Sequence, residues 1–96
     1  MTRPPDPVPL PWYVVLEENI GTGEYKNWAI TWVIPCQSRG HAQLEAQAQA
    51  HNYKPTHPRA AGNRMVFRTG DDVWTTWVDG ATRRYHFRVS VAQREA

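Results

Sequence analysis

Cysteine is almost missing from this chain: Cys36 stands alone among 96 residues. No intramolecular disulfide can form, so a reducing, cytoplasmic setting is expected. Long apolar runs are missing as well. Nothing approaches the roughly 20 residues a membrane-spanning helix requires, and Met1-Thr2-Arg3-Pro4 lacks the apolar segment of a secretory signal. The expectation is a soluble protein without a membrane partner. Lysine is scarce, two against nine arginines, and alanine is frequent. That bias fits a GC-rich bacterial genome and says nothing about chemistry.

The patterns that carry catalysis or metal binding are thin. Cys36, His41, His51 and His57 are of the types that hold zinc, yet there is no C-x-x-C pair and no pair of histidines four apart. His41 and His51 fall ten residues apart on one expected helix, too far to share an ion, so neither metal nor cofactor is expected. Cys36 lies where a strand hands over to a helix, a position that can lower a thiol pKa. His41 is its only near candidate base, and nothing in Pro35-Cys36-Gln37-Ser38-Arg39-Gly40 guarantees the geometry of a nucleophile. Glu17 and Glu18 are neighbours on a strand, hence on opposite faces, and make no paired-carboxylate site. Asp71, Asp72 and Asp79 sit in turns, where Asp is favoured by local backbone hydrogen bonds. No phosphate-cradling glycine loop precedes a helix. A small non-enzymatic protein is expected, with a Cys36-based enzyme as the weaker alternative.

What the chain does have is five Trp and a charge that changes along its length. The formal charge of +2 hides an uneven split. Residues 1 to 50 hold three Lys or Arg against five Asp or Glu, and residues 51 to 96 hold eight against four. A mass of 11.1 kDa fits one modest core. Five of the eight prolines fall within residues 1–11, which read as an extended or disordered tail. Residues 12–96 read as a single α+β domain.

Aromatic and β-branched residues mark two strands, Trp12 to Glu18 and Asn27 to Ile34, around a Gly21-Thr22-Gly23 loop. Alternation predicts one inward face of Trp12, Val14, Leu16, Trp28, Ile30, Trp32 and Ile34. Tyr13, Val15, Ala29 and Val33 fall on the other face, and Glu17 points outward. A helix is expected from Ser38 or Gly40 to about Asn52, rich in Ala, Gln and Glu. Its stripe of Ala42, Ala46, Ala50 and Tyr53 is narrow, with Leu44 and Ala48 nearly opposite. The breakers Pro55, Pro58 and Gly62 then make a loop.

Arg64 to Val91 reads as three strands joined by two turns. Tyr85, Phe87, Val89 and Val91 alternate with Arg84, His86, Arg88 and Ser90 in period two. A two-residue loop at Asp79-Gly80 places Trp74, Thr76 and Val78 with Tyr85 and Phe87. A two-residue loop at Gly70-Asp71 adds Met65 and Phe67 to that core face, leaving Arg64, Val66, Arg68, Val73, Thr75, Trp77, Arg84, His86 and Arg88 opposite. A three-residue loop at either turn would reverse the assignment.

The expected fold is a twisted antiparallel sheet of order β-β-α-β-β-β with one helix packed on one face. One Ala-rich helix is a thin cover for so many aromatic rings, which points to a homodimer or another protein partner. The candidate binding residues are Arg68, Trp77, Arg84, His86 and Arg88. Cations around an indole also suit phosphates and a stacked base, so non-sequence-specific nucleic-acid binding is the alternative. No helix-turn-helix, zinc-finger, RNP-like or GXXG signature accompanies them.

Overall fold

The computed structural model describes residues 11–20, 27–56 and 62–96. Most of the proline-rich tail, the Gly21-Thr22-Gly23 loop, His57 and Pro58 lie outside the described residues. Two strands come first, β1 (Trp12–Ile20) and β2 (Asn27–Cys36), followed by the helix α1 (Arg39–Asn52). Three more strands follow among the described residues, β3 (Arg64–Gly70), β4 (Val73–Asp79) and β5 (Arg84–Gln93). The strands form one antiparallel sheet in the order β2-β1-β5-β4-β3, so the first strand pairs with the last. The fold is α+β, as expected.

The helix starts where Ser38 accepts a hydrogen bond from the His41 N–H at 3.0 Å, an N-cap that satisfies one of the orphan donors of the first turn. It lies on one sheet face through Ala42, Ala46 and Ala50, all fully buried, while Leu44 projects to solvent at 71% exposure. Alanine at those three positions lets the helix backbone approach Leu16, Val89, Phe87 and Trp74 with no bulky side chain between. The cover is therefore close and narrow. Arg39 and Gln43 hold Asp72 at 3.0 and 2.8 Å, fastening the first turns of α1 to the β3–β4 turn. The Gln43 amide and the Arg39 charge keep the Asp72 carboxyl below its ordinary pKa.

At the other end of α1, unpaired carbonyls meet donors from the sheet. Thr76, fully buried in β4, donates to the Ala50 carbonyl at 2.8 Å. Arg64 donates to the Ala50 carbonyl at 3.2 Å and to that of Tyr53 at 2.6 Å, a cation against the negative end of the helix dipole.

Two register shifts change which side chains face the helix. Between β1 and β2 the pairs run Val14 with Ile34 and Leu16 with Trp32, then Glu17 with Ile30, so Thr31 is an extra residue on β2. Trp32 and Ile34 stay on the helix side as expected. Trp28 and Ile30 turn to the opposite face, and Ala29, opposite Glu18, takes the inward place. Between β3 and β4 the shift lies between Arg68 and Gly70. Thr69 is the additional residue, its hydroxyl 3.4 Å from the Val73 carbonyl and 3.3 Å from Thr75 Oγ1. Arg68 therefore lies opposite Trp74, and Met65 lies opposite Trp77. The expected placement of Met65 and Phe67 on the core face is reversed, and Arg64, Val66 and Arg68 lie on the helix side.

The β4–β5 facing is as expected, with Thr76 opposite Phe87 and Val78 opposite Tyr85. The connection is longer than two residues, running from Asp79 to Arg84 with the Gly80 N–H bonded to the Arg83 carbonyl. An even number of added residues preserves the parity. Phe87 is fully buried, and the Arg88 side chain keeps 41% exposure on the other face.

Candidate binding surface on the open sheet face

With α1 on one side, no described element covers the other, and its side chains form cross-strand rows. One runs Phe67, Thr75, Arg88, Glu17, Ile30 from β3 to β2, and beside it lie Met65, Trp77 and His86, with Trp28 opposite Asn19. Toward the far end follow Val73, Ser90, Val15 and Val33, next to Tyr13 and Ala92. Tyr13, Val15, Val33 and Ala92 line a shallow depression of about 330 Å³ with Gln93 and Arg94. Of the five Trp only Trp74 is buried, whereas Trp28 and Trp77 on this face are 42% and 38% exposed.

The rings and cations interlock. The Arg84 guanidinium lies 5.3 Å from the Trp77 ring centre, and that of Arg88 lies 4.9 Å from Trp28. His86 meets Trp28 edge-on at 5.0 Å, and Phe67 meets Trp77 the same way at 5.6 Å. Each arginine also has a carboxylate. Arg88 donates twice to Glu17, at 3.1 and 3.2 Å, and Arg84 reaches Asp79 at 3.2 Å. The bidentate Arg88–Glu17 pair fixes the plane of the guanidinium over Trp28. These pairs are partly exposed and each contributes at most about 1 kcal/mol. Their main effect is to hold the surface in one arrangement and to leave it nearly neutral.

Of the five sequence-predicted residues, Trp77, Arg84, His86 and Arg88 share the open face. Arg68 does not: it stacks over Trp74 at 5.1 Å on the helix side and donates to the Asp71 carbonyl at 2.7 Å. The bulge at Thr69 moves it there. Four members of the face were not foreseen: Trp28, Ile30, Met65 and Phe67. Glu17 was expected outward, and its partner Arg88 comes from the strand that closes the sheet. Runs of aromatic and β-branched residues marked all these strands, yet alternation alone does not locate an inserted residue.

The groups considered for catalysis are differently placed. Cys36 is buried beneath the helix, its thiol 3.7 Å from the Ile34 carbonyl. Burial pushes its pKa up and the Glu45 charge adds to the rise, opposite to what a nucleophile needs. His41 Nδ1 accepts a hydrogen bond from the Gln37 N–H at 3.2 Å. Among the described residues no three His, Cys, Asp or Glu side chains gather as a metal site would require, and no helix is long and apolar enough to cross a membrane. Compared with known protein families, curated proteins and solved structures, the chain matches none.

Proposed function

We propose that this chain is a non-enzymatic binding module whose open sheet face docks onto the surface of another protein. The observation that carries the reading is the exposed aromatic set Trp28, Phe67 and Trp77, packed against Arg84, Arg88, His86 and one another, on a sheet face that no described element covers. Trp and Arg are the residues most often responsible for binding energy at protein interfaces, and rings already locked by neighbours lose little entropy on docking. The buried, raised-pKa Cys36 supports binding over catalysis.

The near neutrality of the face favours protein over nucleic acid. Arg84 and Arg88 are each occupied by a carboxylate, so a phosphate would have to displace Asp79 or Glu17. The test is affinity capture from native lysate with the wild-type chain and with Trp77→Ala as bait, washed over a range of salt. The expected result is a partner protein retained by the wild type, reduced by roughly tenfold or more with Trp77→Ala, and little affected by salt. Retention of oligonucleotides with a steep salt dependence that flattens in Arg84→Ala and Arg88→Ala would instead establish the phosphate-binding alternative.

A further inference from the structure

We propose that two copies of this chain pair edge to edge through β2, antiparallel about a two-fold axis, joining their five-stranded sheets into one. The two sheet edges differ in a way that bears on this. The β3 edge is seven residues long, carries Arg64 and Arg68, and is bulged at Thr69 beside its turn. Short length, charge and a bulge are devices by which proteins keep an edge from pairing. The β2 edge is ten residues long and contains no Asp, Glu, Lys or Arg. Among the described residues its one ladder partner is β1. Trp28, Ile30 and Val33 are exposed on its open side and Trp32 on its helix side, so large apolar groups flank the edge on both faces. Pro35 blunts the end of the strand, and each edge has one bulge, at Thr31 in β2 and at Thr69 in β3, so length and charge are what separate the two.

A matching strand must supply backbone donors without setting a charge against those side chains. Within the chain β1 carries Glu17 and Glu18, β3 carries Arg64 and Arg68, β4 carries Asp79, and β5 carries Arg84 and Arg88. β2 is the one uncharged strand among the five described. Residues 1–11 keep N–H groups at Asp6, Val8 and Leu10 between alternate prolines but bring Arg3 and Asp6 as charges, so by the same rule they are the poorer match. A second β2 is therefore the electrostatic match, and a two-fold axis is the commonest way two copies meet on one shared patch. With that axis normal to the sheet, both helices stay on one side and the two open faces become continuous. Residues 28–34 span about 23 Å, which makes this a small contact of the weak class.

Sedimentation equilibrium on the full chain up to about 100 μM, together with amide hydrogen exchange, tests the pairing. The expected mass rises with concentration toward twice 11.1 kDa, and exchange at residues 28–34 slows while exchange in β3 is unchanged. Ile30→Lys, at a position 62% exposed, is expected to keep the monomer fold by circular dichroism and to weaken the dimer roughly tenfold or more. Met65→Lys on the other edge is expected to leave it intact. A monomer mass throughout the range overturns the proposal. So does a dimer whose residues 28–34 exchange at the same rate at all concentrations, a reading of the wild type that holds even if Ile30→Lys fails to fold. A dimer abolished by Trp77→Lys and untouched by Ile30→Lys would mean stacked faces and also overturns it. The Trp77→Ala capture reads the open face alone, so the two proposals fail separately.

Discussion

Glu18 sits at 3% exposure on the core side of the sheet, at the end of the β1–β5 ladder, where a carboxylate would ordinarily be excluded. Tyr53 Oη and the Thr56 N–H each donate to it at 2.7 Å, and the Thr31 hydroxyl adds a further bond. Burial works to raise its pKa, yet these donors together outweigh burial and hold the carboxyl below its ordinary range. Glu18 therefore ties the bulge in β2, the end of α1 and the following loop to β1. Glu18→Ala is expected to cost about 2–3 kcal/mol in urea unfolding, because Tyr53 and Thr56 lose a charged acceptor. The lowered pKa also has a sign in pH. The stabilisation is complete above the unfolded value of about 4.3 and is lost as pH falls through the lower folded value. Wild-type stability should drop on acidification below about pH 4, and Glu18→Gln, with nothing to protonate, should show a flatter profile there. The alternation of β1 already placed residue 18 on the side of Trp12, Val14 and Leu16. Only the arrival of Thr31 from the bulge in β2, and of Tyr53 and Thr56 from the far end of the helix, explains why a charge is tolerated.

At the scale of the element, helix and strands were legible for different reasons. The helix was read from composition and from Ser38, and the structure begins it at Arg39 with Ser38 as its cap. The alanine stripe was visible as well, and its meaning is steric. Ala46→Leu should force α1 away from the sheet and destabilise by about 1–3 kcal/mol. Leu44→Lys, on the solvent side, should fall within about 0.5 kcal/mol of wild type. Thermal or urea unfolding of the two variants checks the contrast. Strand positions were read correctly, whereas facing was read correctly only where no residue is inserted. One extra residue at Thr31 sends Trp28 and Ile30 to the open face, and another at Thr69 does the same for Met65 and Phe67. In exchange Arg64 reaches the carbonyls at the helix end, and Phe67 packs edge-on to Trp77. These gains depend on neighbours distant in sequence, so no local pattern announces them.

At the scale of the molecule, the described residues cover one face of the sheet and leave aromatic rings on the other exposed. Of five Trp, Trp28, Trp32 and Trp77 are exposed, so acrylamide should quench most of the indole fluorescence of the isolated chain. Saturation with the partner protein should protect the Trp77 share, measured as the difference between wild type and Trp77→Phe. Unchanged quenching in the complex would place the contact elsewhere than the open face. Among the described residues, four arginines of the basic second half are divided between the two sheet faces or matched by carboxylates. Arg64 and Arg68 lie with the helix, and Arg84 and Arg88 meet Asp79 and Glu17.

The linear order of residues determined the element types, the single helix with its alanine face, the burial of Phe87 and Val89, and the outward row of Arg84, His86 and Arg88. Those properties follow from propensity and periodicity, which act over a few residues. Tertiary structure alone decided that β1 and β5 are neighbours, which gives Arg88 its Glu17. It also decided where the two inserted threonines turn a strand over, because register depends on ladders and helix contacts between segments far apart in the chain.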